Sequence, residues 1–246
     1  MRYLILSDIH ANIQALEAVL GEAAGRYDSV AFCGDYIGYG ANPHEVLEWA
    51  RREVAMHVRG NHDKSVEELK ATEGYNPLAT AAILWSIEAL TQAEHEWLRA
   101  LPGGPVWTDG FGLCHGSPAD EDEYLIGSED LLDIELALER PVCFYGHTHK
   151  QDGWRGQRGH WRRLPVPALS ESESLLEIDP ESIYLINPGS VGQPRDRDPR
   201  AAYALWDSDA RLLTFKRVIY DVRAAQQRIL ESGLPEELAA RLELGR

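Results

Sequence analysis

The sequence predicts a single α/β domain built on a mostly buried sheet. Short runs of four to six mainly apolar residues recur along the chain without polar alternation, as in strands that are covered on both faces. Apolar residues at helical spacing separate the first of these runs, and several runs end directly in polar motifs. A chain of 246 residues is long enough for one well-buried core, so we expect one domain over residues 1–246.

The first half of the chain has a β-α-β-α order. Apolar residues from Ile13 to Ala23 recur at helical spacing, and Asn42-Pro43 opens a second helix with an N-cap residue followed by a proline in the first turn. The predicted strands are residues 3–6, 30–33, 55–58, 111–114, 142–145 and 183–186.

The later segments are predicted as cap, hairpin and peripheral helices. Helix-prone stretches after Pro77, at 93–101 and at 129–138 would form helical cap elements within residues 63–140. Residues 202–206 and 212–218 read as a hairpin, and two helical stretches close the chain. Residues 151–180, rich in Arg, Gly and Pro and then in Ser and Glu, are interpreted as a long hairpin or a lid beside the site.

Composition excludes several classes of protein. A formal charge of −16 repels a nucleic-acid backbone, so nonspecific duplex binding is not expected. The first apolar run is too short for a signal peptide, and no segment reaches the about 18 apolar residues of a membrane helix, so we expect a cytoplasmic protein without a membrane partner. The three cysteines lack a Cys-x-x-Cys spacing and are interpreted as buried strand residues.

Five polar motifs follow apolar runs. In open α/β sheets, ligand sites form outside the carboxyl ends of the strands, so residues distant in sequence are expected to meet at one edge. The motifs are Asp8-Ile9-His10, Gly34-Asp35, Gly60-Asn61-His62-Asp63, His115-Gly116 and Gly146-His147-Thr148-His149.

These residue types suit two metal ions. The Asp8-x-His10 spacing presents a carboxylate and an imidazole to the same side, and the pair of histidines in the last motif repeats that geometry. A second ion about 3.5 to 4 Å away requires a shared anionic ligand, for which Asp35 is the natural candidate. Asn61 and His115 complete the second set without adding negative charge. Mixed nitrogen and oxygen ligands suit Mn, Fe, Zn, Ni or Co about equally, and manganese is our first choice.

In their order, these motifs resemble the signature of the calcineurin-like metallophosphoesterases, which is D-x-H, G-D, G-N-H-D/E, H and G-H-x-H. The chain is similar at every motif and looks closest to the small bacterial phosphoesterases of that superfamily. The resemblance extends through residues 34–40 and 187–194 and covers about residues 1–149 and 183–218. It implies a four-layer α/β/β/α sandwich with two packed mixed sheets.

The resemblance also implies roles for individual residues. A metal-bridging hydroxide would attack phosphorus in line, and His62 would act as general acid toward the leaving oxygen. Asp63 would orient His62 or cap a helix. The implied activity is hydrolysis of small or nucleotide-like phosphate esters, as a phosphodiesterase or a phosphatase. One metal would be held by Asp8, His10, Asp35 and His149, and the other by Asp35, Asn61, His115 and His147.

Two alternatives to this function stay open. Protein phosphatases of the superfamily grip phosphate with an arginine where this chain has Tyr39, and purple acid phosphatases have a tyrosine ligand where it has Gly38. A protein phosphatase is therefore the less favoured alternative. A non-catalytic metal-binding interaction module is the other, and the presence of His62 argues against it. A purely structural metal site is disfavoured because the mixed, water-accessible ligand set is unlike a closed cysteine cage.

The substrate-binding residues and the oligomeric state stay unassigned. Arginines 195, 197 and 200 could clamp a second phosphate, although solvated charges are the favoured interpretation. Trp154 and Trp161 could stack a nucleobase, but a packed hairpin core is favoured. The turn at residues 187–190 could support the site or line its wall.

Overall fold

The structure is a computed structural model that describes residues 1–66, 75–131 and 134–246, and it consists of two packed six-stranded sheets with helices outside them. The strands are β1 Arg2–Leu6, β2 Ser29–Phe32, β3 Val54–His57, β4 Val106–Trp107, β5 Gly112–Leu113, β6 Val142–Phe144, β7 Gln151–Gln157, β8 His160–Arg163, β9 Glu173–Glu177, β10 Ile183–Pro188, β11 Ala201–Asp207 and β12 Leu212–Val218. The helices of the described ranges are α1 Ile13–Ala23, α2 Pro43–Glu53, α3 Asn61–Lys64, α4 Pro77–Ala89, α5 Gln92–Arg99, α6 Val222–Glu231 and α7 Glu236–Leu244.

Both sheets are mixed. The first sheet has the order β3-β2-β1-β11-β12-β9, in which β1, β2 and β3 run parallel and the remaining pairs are antiparallel. The second has the order β4-β5-β6-β10-β7-β8, with β5, β6 and β10 parallel. The parallel strands of both sheets end in the polar motifs, which brings those motifs to a common edge.

The core has three apolar layers because neighbouring strand residues point to opposite faces. Ile5 of β1 packs between the sheets with Phe144 and Phe215, whereas Leu4 and Leu6 face the helices on the outer side of the first sheet. A smaller cluster covers the outer side of the second sheet with single-turn 3₁₀ helices at Ser128–Leu131 and Ile134–Ala137. The arrangement confirms the α/β/β/α sandwich.

Most predicted elements are found close to their predicted bounds. The run at 111–114 is reduced to the two-residue β5, and the predicted helix at 129–138 corresponds to the two 3₁₀ turns, with residues 132–133 outside the description. The part of the predicted cap at 67–74 also lies outside the described residues. The division of the chain into a domain with cap elements stays a prediction.

Residues 151–180 divide between the two sheets. The β7–β8 hairpin extends the second sheet, and β9 then crosses to the edge of the first sheet beside β12. Trp154 is buried in the outer cluster with the guanidinium of Arg163 over its ring, as expected for a hairpin core. A lid role for this segment stays a prediction.

The structure also bears on the three cysteines and on membrane-spanning helices. Cys33, Cys114 and Cys143 are buried strand or strand-end residues with free thiols. Among the described helices, none combines the length and the apolar character that crossing a membrane requires.

Candidate metal centre

The structure gathers the seven predicted ligands and His62 at one edge of the sandwich. Asp8 follows β1, Asp35 follows β2, His115 follows β5, and the two histidines of the last motif follow β6. All eight side chains are buried, and the most accessible, Asn61, is only 8 % exposed.

Four side chains form a first ligand set. His10 Nε2 lies 3.1 Å from His149 Nε2 and 3.4 Å from Asp35 Oδ2. His149 Nε2 lies 3.4 Å from Asp8 Oδ1, and the candidate ligand atoms of the four residues all fall within 4.8 Å of one another. Ligand atoms that share one ion at bonds of about 2.1 Å are about 3.0 to 3.4 Å apart, so this group could hold a divalent metal.

A second set lies beside the first. His115 Nε2 is 2.9 Å from Asn61 Oδ1, 3.1 Å from His147 Nδ1 and 3.4 Å from Asp35 Oδ2. The Asn61 amide group donates through Nδ2 to the hydroxyl of Tyr75, which leaves its oxygen turned toward the other donors. His115 Nε2 thus lies within 3.4 Å of one candidate ligand atom from each of the other three residues of this set.

Three imidazoles are held by backbone carbonyls on their outer sides. His10 Nδ1 donates to the carbonyl of Ile37 at 2.8 Å, and His115 Nδ1 donates to that of Cys33 at 2.8 Å. His149 Nδ1 donates to the carbonyl of Gln193 at 2.7 Å. A proton fixed on Nδ1 leaves Nε2 as the lone-pair nitrogen, which is the arrangement of metal-binding histidines.

The backbone at the ligands is strained. Asp8, His10, Asp35, His147 and His149 all have left-handed φ angles, between 48° and 68°. Non-glycine residues adopt this region rarely and at an energetic cost, and such residues cluster at functional sites. In this backbone conformation all five side chains point into one small volume.

Neighbouring loops hold the ligands in place. The Asp63 carboxylate accepts hydrogen bonds from the backbone N–H groups of Asp35 at 2.9 Å, Tyr36 at 2.9 Å and Gly60 at 3.0 Å. Asp63 thus caps α3 and fixes the Asp35 loop. Of the two roles considered for Asp63, orienting His62 or capping a helix, these contacts correspond to the capping role. In the 187–190 turn, Ser190 Oγ donates to the Asp8 carbonyl at 2.8 Å, so this turn supports the site.

His62 lies at the open side of the two ligand sets. Its backbone N–H donates to Asp35 Oδ1 at 2.9 Å, and its ring packs edge-on against His10 at 4.7 Å. Gly38 lies directly beneath the imidazole, where any Cβ would collide with the ring. Burial lowers the pKa of His62 to about 4, so the imidazole is neutral at pH 7.

The buried charges of the ligands depend on one another. Burial alone would lower the pKa of His115, but the carboxylates of Asp35 and Asp8 raise it to about 9. Burial would raise the pKa of Asp35, but the surrounding imidazoles, His115 first, hold it well below its usual value. Burial raises the pKa of Asp8 to about 7.

The family model of the calcineurin-like phosphoesterase superfamily domain matches residues 1–211. The chain belongs to this superfamily. It is a metallophosphoesterase, a hydrolase of phosphoric esters, and it contains a buried Asp/His group that could hold a divalent metal.

Relatives of this metallophosphoesterase match it over nearly their whole length. The protein MJ0912 of Methanocaldococcus jannaschii is 34% identical over 98% of this chain and 97% of its own. A metallophosphoesterase crystal structure from Sphaerobacter thermophilus is 36% identical and has a TM-score of 0.87. The match covers 100% of this chain and 99% of that one. The structure of PH1004 from Pyrococcus horikoshii OT3 has the same fold, with 21% identity, a TM-score of 0.78 and coverage of 100% of this chain and 98% of that one.

A cavity of about 130 Å³ opens over the metallophosphoesterase site. Besides ligands and His62, its walls contain Tyr39, Tyr75, Tyr124 and Arg195. From the sequence, Arg195 was a possible phosphate clamp with a solvated charge as the favoured interpretation, and the three tyrosines were not assigned to the site. Tyr39 and Arg195 follow recognised motifs, which was the available signal, whereas Tyr75 and Tyr124 lie in segments without a motif.

The remaining histidines lie outside the ligand sets, as expected. His44 bonds Glu94 at 2.9 Å, and His95 Nε2 bonds the carbonyl of Ile87 at 3.0 Å. His57 Nδ1 contacts the hydroxyl of Tyr36 at 3.3 Å.

Proposed function

We propose that this metallophosphoesterase binds two divalent metal ions bridged by Asp35 and hydrolyses small or nucleotide-like phosphate esters. The observation that carries the proposal is the position of Asp35 Oδ2. This atom is buried, accepts no hydrogen bond from the described residues, and lies 3.4 Å from the Nε2 atoms of both His10 and His115. A buried carboxylate requires a compensating cation, which in the metal-free protein is the His115 imidazolium and in the loaded protein would be the metal ions.

The donor sets agree with two ions. The first set offers Asp8, His10 and His149, the second offers Asn61, His115 and His147, and Asp35 is common to both. Mixed imidazole and oxygen donors suit first-row divalent metals, with manganese as our first choice. Two such ions against two carboxylates leave a net positive charge that attracts a phosphate group although the whole chain carries −16.

The chemistry that bound metals supply is polarisation of the phosphoryl group and a lower pKa for coordinated water. The residues of the chain orient the substrate above the ligands. His62 lines this space from α3, and its buried Nδ1, which lies against Gly38, has no hydrogen-bond partner among the described residues. A phosphate oxygen in the cavity would hydrogen-bond the imidazole from the cavity side, so we assign His62 to substrate contact and to protonation of the leaving oxygen.

The low pKa of His62 sets a condition on the general-acid role. With a pKa of about 4, the imidazole of the free protein carries no extra proton at pH 7. A bound phosphate dianion favours the imidazolium and raises the pKa of His62 in the complex. Protonation of His62 is therefore coupled to substrate binding.

The walls of the cavity favour small substrates. The ring of Tyr124 packs at a tilt against His147 with 3.7 Å between ring centroids, and Tyr75 stacks on His62 at 5.5 Å. These two tyrosines narrow the approach to the site to a space of about 130 Å³. A phosphate ester with one small or flat substituent fits this space better than a phosphorylated loop of a folded protein.

Metal content measured by plasma mass spectrometry tests the proposal together with hydrolysis assays. We expect about two metals per chain and turnover of p-nitrophenyl phosphate or its bis-ester with added Mn²⁺. Asp35→Asn should lose both metals, whereas Asp109→Asn, at an exposed carboxylate, should lose neither. One metal per chain in the active protein would contradict the bridged pair, and two metals without turnover of any ester would contradict the hydrolase.

A further inference from the structure

Two arginines lie over the Tyr39 ring, and one of them, Arg195, lines the cavity. The guanidinium carbon of Arg195 lies 5.4 Å from the ring centroid, and that of Arg241, on α7, lies 5.6 Å from it. The same ring packs against His10 and His62, each with 4.7 Å between ring centroids. The Tyr39 ring therefore lies between the two positive charges and the histidines of the metal centre, and it contacts both groups.

Neither guanidinium forms an ion pair with an Asp or Glu side chain in the described part of the chain. Arg195 Nη2 donates to the hydroxyl of Tyr39 at 3.0 Å and to Gln193 Oε1 at 3.1 Å, while its Nε is buried without a partner. Arg241 donates through Nε to the main-chain oxygen of Arg246, the last residue of the sequence, at 2.9 Å. Burial and the charge of Arg195 lower the pKa of Arg241, so the two cations interact unfavourably.

Other arginines of the same loop are neutralised or solvated. Arg200 forms an ion pair with Asp198 at 2.6 Å, and Arg197 is exposed. The chain has forty acidic residues against twenty-four basic ones, so partners for a purely structural cation are abundant. Two neighbouring cations without an acidic side-chain partner repel each other in the free protein, and an anionic ligand would relieve that repulsion.

The loop that carries Arg195 is rigidly built. The backbone N–H of Arg195 donates to the carbonyl of His149 at 3.0 Å, directly behind the imidazole of that residue. The next residue, Asp196, accepts from the backbone N–H of Gln151 at 3.1 Å and pairs with the buried Arg217. Arg195 is therefore preorganised beside the site and not a mobile surface side chain.

We propose that Arg195, supported by Arg241, binds a second phosphoryl group of the substrate next to the one that is hydrolysed. The substrate class is then an ester with adjacent phosphoryl groups, such as a nucleoside polyphosphate, and not a simple monoester. A guanidinium fork suits the oxygens of a phosphoryl group. The proposal rests on the proposed function for the position of the scissile group.

A matched pair of ligands tests this inference by binding as well as by activity. Adenosine monophosphate and adenosine diphosphate differ by one phosphoryl group, and calorimetry with the Mn²⁺-loaded protein gives the Kd of each. We expect the diphosphate to bind about tenfold more tightly, and Arg195→Gln to abolish most of that preference. Arg241→Gln should reduce it partly, and Arg197→Gln, with the same loss of charge at an exposed neighbour, should leave it intact.

The outcomes separate this inference from the proposed function. An unchanged preference in Arg195→Gln, or equal weakening of both ligands, would overturn the second phosphoryl site. Arg195→Lys keeps the charge and should retain part of the preference, which controls for loss of the Tyr39 hydrogen bond. Arginine-dependent preference without turnover of any ester would contradict only the hydrolase, whereas turnover without the preference would contradict only this inference.

Discussion

At the scale of single residues, the site is defined by donor atoms that lack ordinary partners. Asp35 Oδ2 is buried between two imidazole nitrogens, and His62 Nδ1 is buried with no hydrogen-bond partner among the described residues. The outer nitrogens of three histidines are instead fully committed to backbone carbonyls. The atoms bonded to the backbone hold the site together, whereas the atoms without partners are available to bind a metal ion or a substrate.

Substitution of Asp35 and His62 should separate metal binding from turnover. Asp35→Asn removes the shared charge, so we expect loss of metal and of activity together. His62→Ala should keep the metals and lower kcat by about 10²- to 10⁴-fold, the usual contribution of a general acid. Metal content and kcat measured on both variants check this, and equal loss of metal in the two would contradict the assigned roles.

Metal affinity should rise with pH up to about 9. In the metal-free protein the pKa of His115 is raised to about 9, so its imidazole is protonated at pH 7 and must lose that proton to bind metal. The apparent affinity for Mn²⁺ should therefore fall about tenfold for each pH unit below 9, with a further proton from Asp8 below about 7. Calorimetric titrations in two buffers of different ionisation enthalpy measure the released proton, and an affinity that does not change with pH would refute the coupling.

At the scale of elements, the site is built from loops that follow strands of both sheets. Strand ends supply the ligands, α3 supplies His62, and the 187–190 turn fixes the Asp8 backbone. The loop at residues 34–40 passes closely beneath His62, with Gly38 at a φ of 88°. With the role proposed for His62, the conformation of this loop is part of the catalytic geometry.

Gly38→Ala should displace His62 without removing the metals. A Cβ at position 38 would collide with the His62 ring, and the positive φ is itself unfavourable for alanine. We expect a decrease in kcat of about tenfold or more with nearly normal metal content. Gly110→Ala is the matched control, since a Cβ there meets nothing within 4 Å. Full activity of Gly38→Ala would show that the position of His62 is not critical.

The sequence contained enough to predict the elements and the residues that gather at the candidate site, but not the tyrosines at the wall of the cavity. Buried strands such as β1 were predictable because their apolar runs depend on local pattern alone. Tyr124 contacts His147, and Arg241 contacts the Tyr39 ring, through tertiary contacts that leave no mark on their own segments. The left-handed backbone of Asp8 and four further ligands was equally hidden, because it is imposed by the surrounding loops against the preference of each residue.

At the scale of the whole molecule, two sheets converge on one charged centre. The centre contains buried carboxylates and imidazoles from both sheets, so it adjoins the main apolar core on one side and the cavity on the other. Metal binding therefore couples to the stability of the entire sandwich, because the unfolded chain has no preformed ligand set.

Removal of the metals should lower the melting temperature measurably. At a metal concentration of about 100 times Kd, binding stabilises the native state by about 2.7 kcal/mol, which corresponds to roughly 5 to 10 °C for a chain of this size. Calorimetric melting with and without a chelator tests this, and Asp35→Asn should show no such shift. Identical melting of the loaded and stripped wild-type protein would contradict a metal centre shared by the two sheets.

The hydrogen bond between Ser190 and Asp8 also has a consequence for how the protein is made. The two residues are 182 positions apart, and β1 pairs with β11 over a similar separation. At a synthesis rate of about 5 to 20 residues per second, the first ligand emerges from the ribosome roughly 10 to 40 s before its supporting turn exists. During that interval β1 can pair with β2 but not with β11, so one edge of the nascent strand stays open until the later part of the chain is synthesised.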